Sequence, residues 1–248
     1  MAKAIIKAGW AHAPHLDQKT RDELLASYPE HERKARTEGE PVLGSGLVLP
    51  IDPSVFTVDP FHLPASWPRI CGIDFGWDHP AAAAWLAWDR DSDCLYLFDC
   101  WRMRETTPAG QAPHIIGKGK WIPVAWPHDG LQHDKGSGEQ LADQYRKAGV
   151  NMLRERATFP DGTNGVEAGI IEMVDRLQTG RMKVFKTCQP WLDEQRTYHR
   201  KDGLIVKKKD DVISASRYAM MMRRYAKTRE SEDEFPGSGS RTGTRAGY

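Results

Sequence analysis

No apolar run in this sequence approaches the roughly 20 residues that cross a bilayer, and the opening MAKAIIKAGW is too short for the apolar stretch of a signal peptide. A chain that is neither secreted nor membrane-embedded is expected. Cysteine is scarce. Cys71, Cys94, Cys100 and Cys188 contain no CxxC pair, and three of them lie in apolar, strand-like runs, so buried reduced thiols are expected rather than zinc ligands or disulfides. There is no internal repeat, no Walker A loop and no GxGxxG. The string GKGKW has neither the glycine spacing nor the hydroxyl residue of a phosphate loop, which argues against ATP hydrolysis within this chain. One-sided charge is lacking too: the formal net charge is +1, so any footprint for a polyanion must be local.

What is present is enough to fold: 40% hydrophobic residues over 248 positions allow a sizeable core. Residues 1–66 are rich in proline, histidine and charge and lack a core of their own. They contain one helix, capped by Asp17 and running through QKTRDELLASY, a second helical piece EHERKARTEG, and extended segments VLGSGLVLPI and SVFTVD. This stretch reads as a connector, or the end of a preceding domain, packed on the domain that starts near residue 67.

From residue 67 the pattern changes to strands. PRICGIDFGW, AAAAWLAWDR and CLYLFDCWRM predict a three-stranded meander, with a tight turn at Asp91, Ser92 and Asp93. The helical segment ETTPAGQAPHIIGKG leads to a fourth strand, WIPVAW. A helix opened by Ser137 and closed by Gly149, a short strand NMLRER and a helix GVEAGIIEMVDRLQTG come next, the last with Val166, Ile170, Ile171, Val174 and Leu177 on one face. RMKVFK predicts a further strand. A final helix over about 211–226 presents Ile213, Tyr218 and Met221 to a core, and residues 229–248 have the composition of a disordered tail.

Three sets of carboxylates stand out. Asp74 lies in an apolar strand, where a charge is costly unless paired or coordinated; the alternative is a strand-end residue capping the turn at Gly76. Asp129 directly follows the fourth strand in WPHDG, which by itself reads equally as an Asp-Gly turn. Asp210 and Asp211 open the last helix, where they would suit either N-capping and the helix dipole or a ligand role. Hard divalent cations favour oxygen donors, and phosphodiester hydrolysis by two such ions needs several carboxylates in one place. The three sets together are therefore more specific than any one of them.

Three passages, GIDFGWDHPAAAAWLAWD, WPHDGLQHDKGSGEQLADQYRKAGV and KKKDDVISASRYAMM, resemble the nuclease domain of the large subunit of tailed-phage terminases. The resemblance covers most of residues 42–226. AGWAHAPHL and LLASYPEHERKARTEGEPVLGSG resemble the end of that family's ATPase domain, which implies that the packaging ATPase lies upstream in the same polypeptide. The family implies an α/β fold of RNase H-like type: a mixed central sheet of five or more strands, the first three an antiparallel meander, flanked by helices. Residues 67–228 would form this domain. The family's first acid falls on Asp74, its second on Asp129, and its third on the acidic pair, with Asp211 chosen ahead of Asp210. Many relatives carry a further Asp where Ser214 stands here.

The resemblance further implies two Mg²⁺ or Mn²⁺ ions, and endonucleolytic cutting of double-stranded, concatemeric DNA in the cytoplasm of the infected bacterial host. The small terminase subunit and the capsid portal would be partners.

Around these acids, Lys207, Lys208 and Lys209 form a local basic patch suited to DNA phosphate, or else a solvated hairpin end. Lys135, His133 and His128 could orient a phosphate or simply be surface-loop residues. Asp78 and His79 fit either a supporting hydrogen bond or a turn before Pro80. Arg217, Arg223 and Arg224 fit a DNA path or a solvated helix face. Trp77, Trp85, Trp101 and Trp126 are expected in the core rather than as base-stacking platforms. The alternatives to a terminase nuclease are another RNase H-like nuclease, of resolvase or transposase type, and a non-catalytic DNA-binding or motor-docking module.

Overall fold

The computed structural model describes residues 9–27, 37–38, 46–131, 140–201 and 204–229. Helix α1 (Gln18–Ser27) opens as expected, with the Thr20 amide donating to the Asp17 carboxylate at 2.8 Å. Of EHERKARTEG only Thr37 and Glu38 are described, and both are helical. Ser137 and the 230–248 part of the tail lie outside the described residues.

SVFTVD is extended only at its end. Asp52 caps a single turn, α2 (Pro53–Phe56), by accepting from the Ser54 amide at 2.8 Å, with Pro53 in the first helical position where its missing N–H costs nothing. Strand β1 (Thr57–Val58) comes directly after it.

The meander is present as β2 (Arg69–Asp74), β3 (Ala81–Asp89) and β4 (Cys94–Met103), all antiparallel. Helix α3 (Pro108–Ile116) then leads to β5 (Val124–Ala125), which is shorter than WIPVAW and pairs in parallel with β2. Helix α4 is Leu141–Lys147 and α5 is Val166–Gln178. β6 (Met182–Phe185) runs parallel to β4, and β1 runs parallel to β6, giving the six-stranded order β1-β6-β4-β3-β2-β5. NMLRER makes no strand, only a single parallel bridge from Met152 to Val124. Helix α6 (Gln189–Thr197), a small hairpin of β7 (Arg200–Lys201) and β8 (Leu204–Ile205), and helix α7 (Asp211–Met221) complete the fold.

Both faces of the sheet are covered, so its central strands are apolar almost without alternation. On one face Cys71, Ile73, Ala83 and Trp85 meet Ile115 and Tyr145 of α3 and α4. On the other, Ile70, Ala82, Ala84 and Leu86 belong to the core that includes Met173, Trp191 and Ala215 of α5, α6 and α7. Leu49 and Phe56 are wholly buried in this second core, and Val48, Ile51 and Leu63 are buried with them, so residues 48–63 pack into the sheet's helical layer. Ile171, expected on the buried face of α5, is 66% exposed; that face is formed by Ile170, Met173 and Leu177. Of the three α7 residues expected inside, Ile213 and Met221 are buried and Tyr218 is half-buried. All four cysteines are free and buried. Among the described residues no helix is long and apolar enough to cross a membrane.

Candidate functional site

Side chains alternate along a strand, so Asp74 shares a face of β2 with Ile70 and Gly72, the face that α7 covers. A Cβ atom on Gly72 would stand 1.9 Å from the Ala215 carbonyl oxygen and 2.8 Å from the Ala219 amide nitrogen. Only glycine permits this backbone-to-backbone approach. It brings the first turn of α7, carrying Asp210 and Asp211, to the end of β2 where Asp74 sits. Asp129 arrives on the 3-10 turn His128–Leu131, directly after β5 and beside β2. Gly130 holds that turn inward: a Cβ there would meet the Trp126 ring at 2.4 Å and the Phe75 ring at 2.9 Å.

Neither Asp210 nor Asp211 caps α7 with its side chain. That work falls to Glu194 of α6, 1% exposed, whose Oε2 accepts from the Val212 and Ile213 amides at 2.8 and 3.0 Å. Its Oε1 accepts from Arg102 Nη1 at 3.3 Å. Trp191 of the same helix donates to Ser216 Oγ at 3.0 Å. Helix α6 thus fixes α7 without either side chain of the acidic pair serving as its cap. Asp210 Oδ2 has a long 3.5 Å bond from Ser214 Oγ, at the position where the resemblance leads one to expect a further acid.

Burial and crowding raise the proton affinity of these groups. The Asp74 carboxyl is pushed well above the usual carboxylate range, first by burial and then by Asp210 and Asp211; Arg217 opposes the shift and Asp129 adds to it. Asp210 is raised by burial and by Asp211. Asp211 is raised by burial, against the opposing charges of His79, Arg102 and Arg104. Glu194 is lifted to about 7, burial outweighing its amide donors and Arg102. Tyr218 is pushed up to about 12, by burial and then by Asp74, with Asp129 contributing. The acids therefore repel one another at one end of the sheet. Among the described residues no three His, Cys, Asp or Glu side chains converge closely enough to define a single ion position.

Lys207, Lys208 and Lys209 are exposed immediately before this cluster, with Lys209 in a left-handed conformation (φ 59°) and Lys207 easing the Asp210 charge. Asp78, His79 and His128 are exposed. His133 and Lys135 lie outside the described residues. Arg223 is tied to Glu172 at 2.9 Å and Arg224 donates to the Thr158 and Met221 carbonyls, so both brace the end of α7. Trp85 and Trp126 are buried and Trp101 is half-buried, but Trp77, expected in the core, is 53% exposed on the loop after Asp74. The strand had already ended at Asp74, so burial by alternation stops before it.

Arg102, Arg104, Glu194 and Tyr218 were not recognised from the sequence as part of the site. The register Asp74↔Ala82↔Arg102 that brings Arg102 near needs the paired strands.

Residues 71–223 match the family described as the terminase RNaseH-like domain. The chain belongs to that family. This terminase domain is 48% identical over 216 residues to the terminase large subunit of Salmonella phage P22, covering 87% of this chain and 43% of that protein. With the terminase large subunit of Enterobacteria phage LP7 the identity is 48% over 212 residues, covering 85% and 45%. The chain thus spans less than half the length of these relatives. Among solved structures, the nuclease domain of the P22 large terminase has 49% identity and a TM-score of 0.69, covering 75% of this chain and 96% of that one. A large terminase from a thermophilic bacteriophage, in complex with ADP, shares 14% identity at a TM-score of 0.58, over 88% of this chain and 55% of that one, a likeness of fold alone. The RNase H-like architecture expected of the terminase domain is the one observed: a mixed sheet with a leading antiparallel meander and helices on both faces.

Proposed function

We propose that this terminase domain is a metal-dependent endonuclease that hydrolyses phosphodiester bonds of double-stranded DNA, using two divalent cations, Mg²⁺ or Mn²⁺. The observation that carries the reading is the gathering of Asp74, Asp129 and the Asp210–Asp211 pair, from three separate segments, at one end of the sheet. Burial, and after it the neighbouring carboxylates, raise Asp74 and Asp210. A cluster of oxygen donors carrying excess negative charge fits hard divalent cations in charge and in donor type.

Asp74, Asp129 and Asp211 would hold the ions, with Asp210 beside Asp211 as the further oxygen donor. Such ions supply positive charge to a phosphodiester and make water more acidic. The protein's own groups bind and orient. Lys207, Lys208 and Lys209, with Lys135 and His133 from the segment after the 3-10 turn, would take DNA phosphates on the approach to the acids. Arg102 and Arg104 add positive charge beside Asp211, and Glu194 keeps α7 and its acidic pair in place.

We further propose that residues 1–66 connect this domain to an ATPase domain of the same polypeptide, and that 229–248 form a tail. The biological substrate would be concatemeric viral DNA in the cytoplasm of the bacterial host, with the small terminase subunit and the capsid portal as partners. The 43% coverage of the P22 protein supports the existence of a larger whole. The test is cleavage of a labelled linear duplex by the purified chain in Mn²⁺ and in EDTA, with Asp129→Ala and Asp211→Ala in parallel. Cleavage that requires the ion and both acids supports the reading. A folded chain that cuts no duplex in any divalent ion overturns it.

A further inference from the structure

Arg217 is 3% exposed on α7. Its stem runs beneath Gly169 of α5, where a Cβ atom would stand 2.6 Å from the Arg217 Cδ and 2.8 Å from its Cγ. A side chain at residue 169 would displace the arginine. Its guanidinium lies 4.5 Å over the ring of Tyr218, and Nη1 donates to Met221 Sδ at 3.6 Å. Among the described residues no carboxylate forms an ion pair with it, whereas the other buried arginine, Arg176, has both Asp93 and Glu172. A permanently charged group held in the interior on a sulfur and a ring face is costly unless a surrounding field compensates it.

The acids lie on the same face of α7 as Arg217: Asp210 at the helix start, Ser214 and Arg217 follow one another at the four- and three-residue spacing that lines up side chains, and the helix covers the β2 face that carries Asp74. Tyr218, on which the guanidinium rests, is the phenol that feels Asp74 and Asp129, and Arg217 in turn eases the charge on Asp74.

We infer that Arg217 is a built-in counter-charge of the acid cluster: it holds the carboxylates together when no ion is bound and lowers the cluster's affinity for divalent cations. This rests on the metal-binding reading above. The arginine occupies by charge, without contacting the ions, part of the role that the cations fill. Removing its charge frees the acids to bind cations more tightly and leaves the ion-free protein less stable. Arg217 is a positioning residue on this account.

The test measures Mn²⁺ binding to the DNA-free chain by electron paramagnetic resonance of the free ion, with thermal melting in EDTA and in Mn²⁺. Wild type, Arg217→Gln, Arg217→Lys and Asp74→Asn are compared. Arg217→Gln should bind Mn²⁺ roughly tenfold more tightly, by the Coulomb repulsion relieved. It should also melt lower in EDTA and gain more from Mn²⁺ than wild type does. Arg217→Lys keeps the charge and should bind Mn²⁺ like wild type. Should Arg217→Gln not fold in EDTA, added Mn²⁺ is expected to restore its structure, and failure to do so overturns the inference.

Equal or weaker Mn²⁺ binding by folded Arg217→Gln also overturns it, as does a lysine variant that behaves like glutamine, since loss of packing alone would produce either. If wild type binds Mn²⁺ through Asp74 and Arg217→Gln changes nothing, only this inference falls. If wild type binds no Mn²⁺, the metal-binding reading falls with it.

Discussion

Gly72 of β2 and Ala215 of α7 touch backbone to backbone: a Cβ on the glycine would stand 1.9 Å from the alanine's carbonyl oxygen. Asp74 comes two residues after the contact and Asp211 precedes it by one helical turn, so this contact sets the separation of the acids. Gly72→Ala should therefore cost about 2–4 kcal/mol, as overpacking against backbone does. It should also weaken Mn²⁺ binding. Urea unfolding and Mn²⁺ titration check the two effects, and a stable variant with intact ion binding would show that the contact does not govern the site.

Asp74 sits in a site that works against the fold. Burial and its acidic neighbours disfavour its charge, so Asp74→Asn should raise the stability of the ion-free chain by about 1 kcal/mol near neutral pH while abolishing cleavage. Denaturant melts in EDTA measure the gain. A loss of stability instead would mean that Asp74 is held by favourable contacts and is not a strained acid.

Stability without divalent ions should fall as pH rises from about 4.5 to about 7. Asp74, Asp210, Asp211 and Glu194 all bind protons more tightly when folded than when unfolded, Glu194 up to about 7. The folded chain thus carries the excess protons in this window, and each excess proton lowers stability by about 1.4 kcal/mol per pH unit. Asp17, Asp93, Asp161 and Glu167 are shifted down and act in the opposite sense, but at lower pH. Urea midpoints across the window in EDTA should show the decline, and Mn²⁺ should flatten it. A rise with pH in EDTA would contradict the electrostatics of the site.

The parts legible in the sequence were those with a strong local signal. The apolar runs around Ile73, Trp85 and Leu97 marked the meander, and Asp91 to Asp93 marked its turn. Asp74, Asp129 and Asp211 were visible as acids next to strand or helix ends. Helix α6 was not, because residues 188–196 are mostly polar; its one local cue is Pro190 at the helix start, followed by Trp191, Leu192 and Gln195 on a buried side. With α6 went Glu194, a buried carboxylate in a stretch that reads as surface. Capping by Asp210 or Asp211 was a sound local alternative that Glu194 displaced across 18 residues of sequence. Trp77 is expected inside because it closes the strand-like run PRICGIDFGW, but the strand ends three residues earlier, at Asp74.

Replacing Lys207, Lys208 and Lys209 with alanine should weaken DNA binding equally for all sequences. It should also reduce the slope of log affinity against log salt by at most about 2.7, the release of three phosphate-bound counterions. Fluorescence anisotropy with a duplex in EDTA at several salt concentrations measures this without cleavage. An unchanged slope would assign the lysines to a solvated hairpin end.

Metal-dependent cleavage through Asp74 is tested most directly by incubating supercoiled plasmid with the purified chain in Mn²⁺, Mg²⁺ or EDTA beside Asp74→Ala. Nicked and linear DNA are expected with the divalent ions and wild type, and intact supercoils in EDTA or with the variant. Cleavage that persists in EDTA, or that Asp74→Ala retains in full, would contradict that expectation.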